Sequence, residues 1–321
     1  MRRQILKAFL LCTIVSAGAS GEEVWFRGNV HVHTDESDGL SPAADVVQWY
    51  KSHGYDFLAL TDHGLQTVTD ELVAEFEATG DFLLLRGVEV TDSVDGRPVH
   101  LNALGVQDVV EPQGGQSISD AIGRNRLAIE EAGGLAVLNH PNGLLRSALT
   151  AREIQDGAAG HFEVCCADFL GGSGHPSTDE LWDSILTEGQ LLYGIAADDA
   201  HDFGPDSRDP GSAWIMVRSV ELTAPAVLNA IRSGDFYATT GVIIEELQQE
   251  DRGLCLRIGD YGAYGFRTEF IGSGGRVLHT DESENPCFEA SGSEDYIRAR
   301  VFRSDGALAW TQPLILDQTM L

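Results

Sequence analysis

The sequence predicts an α/β fold, a parallel barrel or a doubly wound sheet, followed by a smaller β-rich region. Two observations predict it. From residue 28 to about 217 short apolar runs alternate with amphipathic stretches, the pattern of strands linked by helices. After about Gly241 the helical period disappears and brief β-rich runs sit between Gly and Asp turns. With 321 residues, 43% of them hydrophobic, the chain is long enough to bury a substantial core.

The strands are read, in order, at residues 30–33, 57–61, 83–90, 99–104, 135–139, 162–169, 191–197 and 213–217. Between them, Ser41-Pro42 supplies a capping hydroxyl and a first-turn proline, and residues 177–180 resemble a capping box. Thr223 to Ser233 forms a last helix, stopped by Gly234. The barrel region is placed at 22–240. The β-rich module at 241–321 has runs at 266–271, 277–278 and 296–302.

At the N-terminus, Arg2, Arg3 and Lys7 precede an apolar run and the small residues 17–19. This is the order of a secretory signal cleaved after Ala19, and Arg2-Arg3 also fits a twin-arginine export motif. The apolar run is shorter than the ~20 residues that span a bilayer, so stable membrane insertion is not expected. Export leaves Cys165, Cys166, Cys255 and Cys287. The adjacent pair cannot bond without strain, so Cys255 and Cys287 either pair or stay as buried thiols.

Charge excludes one class of partner. With 21 Lys and Arg against 50 Asp and Glu, the formal net charge is −29, spread along the chain without a basic stripe. Such a surface repels phosphate backbones, so no nucleic-acid partner is expected.

His31 and His33 stand two apart on a predicted strand, so both imidazoles face one side and can bracket a metal ion. Asp38 follows, then Asp62-His63 after a strand, Glu89 closing Gly87-Val88-Glu89, His100 opening the next strand, His140, and Asp199 with His201. Nearly all fall at the C-terminal ends of predicted strands, which converge in a parallel barrel. Six of the ten histidines occupy these places, which argues against satisfied core or solvent residues.

The run His31-Val-His33-Thr34 through Ser37-Asp38-Gly39, then Thr61-Asp62-His63, Gly87-Val88-Glu89, Asn139-His140-Pro141 and Asp199-Ala200-His201, resembles the PHP (polymerase and histidinol phosphatase) metal-dependent hydrolases. The resemblance covers about residues 27–240. Residues 234–241 and the tail with Trp310-Thr311-Gln312-Pro313 resemble its exported carbaryl-hydrolase-like branch more loosely. It implies a distorted (β/α)7 barrel with two or three divalent ions (zinc, manganese or iron) at its mouth. His31, His33, Glu89 and Asp199 would hold the first ion, Glu89 with His100 and His140 the second, and Asp38, His63 and His201 a third. Asp198 stands where relatives commonly carry a small hydroxyl residue, an expected source of extra acidity.

The activity so implied is metal-dependent hydrolysis of a phosphomonoester or small phosphodiester by water activated on the ions, with Asp199 or His201 moving the proton. Arg86, Arg97, Arg146 and Arg208 near strand ends are candidate phosphate grips, each weighed against a surface role. Cys165 is weighed as cup-facing or simply buried. The same cup could hydrolyse a small-molecule amide, carbamate or ester. A metal- or glycan-binding exported protein without catalysis is the remaining alternative. A DNA-proofreading exonuclease is disfavoured by the charge and the leader.

Overall fold

The computed structural model describes residues 21–142, 148–167, 178–208, 210–259, 262 and 264–316. The proposed leader, Ser177 and Arg146 lie outside them. The chain runs through β1 (Val24–Asn29), α1 (Ala43–Ser52), β2 (Phe57–Leu60), α2 (Asp70–Phe76), β3 (Leu83–Val94), β4 (Arg97–Leu104), α3 (Ile118–Glu131) and β5 (Leu135–Leu138). It continues through α4 (Ala151–Asp156), β6 (His161–Cys166), α5 (Asp179–Thr187), β7 (Tyr193–Ala197), β8 (Trp214–Ser219), α6 (Ala224–Ser233) and β9 (Phe236–Thr239). None of the helices described is long and apolar enough to cross a membrane.

The strand and helix alternation is present, but the sheet is mixed rather than wholly parallel. β1, β2 and β3 pair in parallel, as do β5, β6 and β7. β4 lies between the two sets, antiparallel to both β3 and β5. The physical reason is a two-residue turn: Asp95 and Gly96 both take positive φ, 53° and 77°, and fold β3 back on itself. β8 is antiparallel to β1, and β9 to β8. A parallel bridge, Val32 to Ala200, brings the chain beyond β7 against the chain beyond β1.

Alternate strand residues sort onto two faces. Phe57 and Ala59 of β2, Leu83 and Leu85 of β3 and Val137 of β5 join Ile195 of β7 and Ile215 of β8 in one buried cluster. Leu58 and Leu60 point the other way, onto Val46, Val47 and Tyr50 of α1. Such two-sided burial explains why these strands read as continuous apolar runs. α1 starts after Pro42 without a side-chain cap, whereas Thr223 caps α6 and Gly234 ends it at φ 81°.

From Ile244 onward the described residues form β10 (Ile244–Glu250), β11 (Gly253–Ile258), β12 (Phe266–Gly272), β13 (Arg276–Asp281), β14 (Cys287–Glu289), β15 (Tyr296–Arg303), β16 (Leu308–Thr311) and β17 (Leu314–Ile315), with one 3-10 turn at Ser273–Gly275. These strands are not set apart from the rest. β16 pairs with β9, and β15, β12 and β13 extend the same sheet outward. β10, β11 and β14 form a second sheet, in which Cys255 and Cys287 are directly opposite and disulfide-bonded.

Side chains from the tail also grip the N-terminal elements. Buried Arg298 donates to Asp183 of α5 at 2.6 and 2.8 Å and to Asp179 at 2.9 Å. Tyr296 and Trp310 donate to the same two carboxylates. Gln312 pairs twice with the backbone of Gly194 in β7, both bonds at 2.8 Å. Buried ions are retained only where such partners exist.

His161, at the start of β6, donates from Nε2 to the carbonyl of Ile231 in α6 at 3.0 Å, and burial pushes its pKa down to about 4. The unfolded chain takes up this proton near pH 6.5 and the native state resists until about pH 4. Stability therefore falls as pH drops through that window, by up to about 1.4 kcal/mol per unit. Urea unfolding of the metal-free protein should show a shallower loss between pH 6.5 and 4 in His161→Gln than in the wild type. Identical slopes would remove this role.

Candidate metal centre

The nine candidate side chains His31, His33, Asp38, His63, Glu89, His100, His140, Asp199 and His201 converge. Four groups of them present ligand atoms within 4.8 Å of one another: His31, His33 and Glu89; His31, His140 and Asp199; His63, Glu89 and His100; and His33, Asp38, His63 and His201. His31 and His33 lie just past the end of β1 rather than within it, held by the Val32 bridge. Glu89 is in the middle of β3, which runs on into the hairpin. His100 is in β4, and because that strand is antiparallel its N-terminal half lies at the same end of the sheet. Two of the residues sit on left-handed backbone, His140 at φ 26° and Asp199 at φ 54°. Non-glycine residues reach such conformations where the surroundings impose them.

The tightest group has spacings suited to one ion. His31 Nε2 and His33 Nε2 are 3.1 Å apart, and Asp199 Oδ1 is 3.1 and 3.0 Å from them. Glu89 Oε2 is 3.4 and 3.3 Å from the same two nitrogens. Metal–ligand bonds of about 2.1 Å place neighbouring ligands about 3.0 Å apart in an octahedron and about 3.4 Å apart in a tetrahedron. Glu89 turns its other oxygen, Oε1, to His100 Nδ1 at 3.1 Å and His140 Nε2 at 3.5 Å. Asp38 lies 3.4 Å from His63 Nε2 and 3.5 Å from both His201 Nε2 and His33 Nδ1. Among the described residues, buried Glu89 Oε2, His33 Nδ1 and His100 Nδ1 find no well-aligned hydrogen-bond partner, only rings and carboxylates of the same cluster 3.1 to 3.5 Å away, which suits atoms that would ligate a cation. The residues fit divalent ions.

Burial by itself would lower the His31 pKa and raise those of Glu89 and Asp199. The mutual attraction of the groups reverses both tendencies. Asp199, Glu163 and Glu89 hold His31 well above the ordinary imidazole value, and His31 and its neighbours keep both central carboxylates well below theirs. For His33, bonds to Asp199 and Glu89 overcome burial and raise it to about 9. Burial lowers His63. Metal binding at such a cluster displaces protons and weakens as pH falls.

The sequence reading missed Glu163 and gave no role to Asn139 or Asp62, which support the candidate ligands. Glu163 of β6 accepts from His31 Nδ1 at 2.6 Å and from the His140 backbone N–H at 2.6 Å. Asn139 donates to Glu89 Oε1 at 2.8 Å and to Asn102 at 2.9 Å. Asp62 accepts from the backbone and hydroxyl of Thr34 and from Ser37 and Thr67, which fixes the loop carrying Asp38. A lone acid among Phe162, Val164 and the two cysteines of β6 was the available signal for Glu163.

Other expectations are corrected. Asp198 does not add acidity to the cup: it accepts from Tyr50 and from the backbone of Gly211, Ser212 and Ala213, anchoring the loop before β8. Burial pushes its pKa up to about 6. Arg86 is committed to the carbonyl of Val68 and to Asp70, and Arg97 to Glu153 and the carbonyl of Ala148, so neither is a free phosphate grip. Arg208 is exposed on the loop after His201. Cys165 packs in the core, and Cys166 donates from Sγ to Asp199 Oδ2 at 3.5 Å.

No family model matches the chain, and no curated protein matches it. Among solved structures it is similar to a two-domain protein containing a predicted PHP-like metal-dependent phosphoesterase from Bacteroides vulgatus. The two share 18% identity with a TM-score of 0.53, over 91% of this chain and 96% of that one. The two chains share a fold. An amidohydrolase from Chromobacterium violaceum, with bound sulfate and no metal, matches at 17% identity and a TM-score of 0.42, over 65% of this chain and 96% of that one. The likeness to the two-domain protein covers 91% of this chain, so it takes in the site-bearing strands and much of the tail.

An ion that binds the native cup and not the unfolded chain stabilises it, by about 2.7 kcal/mol per site at a hundredfold excess over Kd. Adding zinc or manganese to chelated protein should therefore raise Tm, and the rise should shrink in Asp199→Ala. A Tm indifferent to metal in differential scanning fluorimetry would contradict the fit.

Proposed function

We propose that the protein is an exported metal-dependent phosphoesterase acting on phosphomonoesters or small phosphodiesters. The observation that carries this reading is the group His31, His33, Glu89 and Asp199, whose facing atoms lie at coordination-edge spacings of 3.0 to 3.4 Å. These four would hold a first ion, Glu89 with His100 and His140 a second, and Asp38, His63 and His201 a third. The spacing of the donors supports two or three ions, and imidazole with carboxylate suits zinc, manganese or iron. When bound, the ions supply a water of lowered pKa and neutralise charge on phosphoryl oxygens.

The chain's own groups then divide the work. Asp199, kept ionised by His31, holds its place in the cup and accepts. His201 donates from Nδ1 to the Asp199 carbonyl at 2.7 Å, so its Nε2 is the nitrogen turned to the cup. Partly exposed there, that nitrogen would bind the third ion or, in a two-ion site, exchange the proton of the leaving group. Arg208 is the remaining described cation offered as a phosphate grip. The site-bearing part, residues 22–240, is read as a distorted seven-stranded barrel, supported by the Val32–Ala200 bridge and the shared inner cluster. Export with cleavage after Ala19 is supported by the Cys255–Cys287 bond, which suits an oxidising compartment. The charge of −29 favours a small-molecule substrate over nucleic acid.

Metal-reconstituted protein should release phosphate from members of a panel of phosphomonoesters and diesters, and His31→Ala or Asp199→Ala should lower turnover at least about 100-fold. Metal-loaded protein that releases no phosphate but cleaves amides, carbamates or carboxylic esters would replace this reading with acyl hydrolysis. Turnover of neither class would leave a metal-binding protein.

A further inference from the structure

Glu163 is a buried carboxylate whose two oxygens are both spoken for, and both partners are candidate ligands. Oε1 accepts from His31 Nδ1 at 2.6 Å and Oε2 accepts from the backbone N–H of His140 at 2.6 Å. Each oxygen is committed to a short bond with a candidate ligand, and Glu163 belongs to none of the four ligand groups, which separates it from the nine side chains around it. From these contacts we infer that Glu163 is a positioning residue that orients two imidazoles, His31 and His140, toward the ions. This rests on the metal-dependent reading above.

The argument is one of donors and acceptors. Because an ionised carboxylate only accepts, the Glu163 contact places the hydrogen of His31 on Nδ1. In the neutral ring that would ligate an ion, the lone pair is then on Nε2, the nitrogen that faces Asp199 Oδ1, Glu89 Oε2 and His33 Nε2. The opposite tautomer would put a hydrogen into the middle of that group and abolish ligation there. The second oxygen acts on the backbone: His140 sits at φ 26°, and the bond to its N–H compensates a conformation that a non-glycine residue seldom takes. Its ring is thereby held stacked on that of His31, with centroids 5.7 Å apart, and its Nε2 reaches Glu89 Oε1.

The strand itself is shaped for this contact. The pairing of β6 with β7 shifts register between Glu163 and Cys165, so a bulge follows the glutamate. Strict alternation would place Glu163 and Cys165 on one face. With the bulge, Glu163 and Cys166 both reach the cup while Cys165 packs into the core.

The test is Glu163→Gln, nearly isosteric but able to accept from only one of the two donors, since its NH2 confronts the other. Zinc affinity, measured by competition with a chromophoric chelator, should fall about 10- to 100-fold. The visible band of the cobalt-substituted protein should weaken per folded molecule, whatever the unpaired donor does to the metal-free Tm. A merely structural glutamate would instead lower the metal-free Tm and leave affinity per folded molecule unchanged, and that result overturns the inference. If the variant does not fold, the imidazole nitrogen NMR spectrum of the loaded wild type decides: His31 protonated on Nδ1 supports the role, and His31 protonated on Nε2 overturns it. A wild type that takes up no ion defeats the metal-dependent reading and the positioning role with it. Equal affinities in wild type and Glu163→Gln defeat the positioning role alone.

Discussion

Two carboxylates buried side by side among imidazoles are the constraint around which the rest of the molecule is arranged. Glu89 and Asp199 are almost wholly removed from solvent, and both are held ionised. Burying an uncompensated carboxylate costs several kcal/mol, so nearby positive charge must be maintained by the fold. In the protein alone, imidazolium character on His31 and His33 supplies it. Divalent ions would supply it more fully and let the imidazoles become neutral ligands. The same charges that are costly to bury suit the cluster to cations.

Maintaining that cluster explains features of the scaffold that would otherwise look incidental. The hairpin at Asp95-Gly96 brings β4 back so that His100 faces Glu89, an approach that a parallel crossover would not give. Asn139, Asn102, Glu163 and Asp62 each spend their polar atoms on a ligand or on the loop that carries one. These contacts limit the rotamers open to the ligands, which is how outer groups tune a metal centre. The tail contributes at longer range, since Gln312 pins the backbone of β7 and Arg298 neutralises two acids of α5. Its strands continue the sheet through β9, so the tail braces the site-bearing strands.

What was legible in the sequence depended on whether the signal was local. His31-Val-His33, Asp62-His63 and Asp199-Ala200-His201 announce themselves by spacing and by their place after apolar runs, and the structure brings them together. Strand positions were largely legible for the same reason, because β2, β5 and β7 are buried on both faces and read as apolar runs. Strand direction was not, since an Asp-Gly turn between two apolar runs had to be preferred over a helical crossover. Glu163 was illegible as a partner of His31 because 132 residues separate them and a bulge decides which way it points. Asp198 was misjudged because its neighbour Asp199 faces the cup, whereas Asp198 turns to the backbone of a loop. Continuity of the tail with β9 rests on register, which composition does not encode.

On the proposed reading, Glu89 would be shared between ions held on its two sides. Anomalous diffraction from crystals of the metal-loaded protein, recorded on either side of the absorption edge of the metal used, tests it most directly. The account predicts one peak among His31, His33, Asp199 and Glu89 Oε2 and another beside Glu89 Oε1, His100 and His140. A loaded crystal with no peak touching Glu89, or with ions only at surface carboxylates, would contradict it.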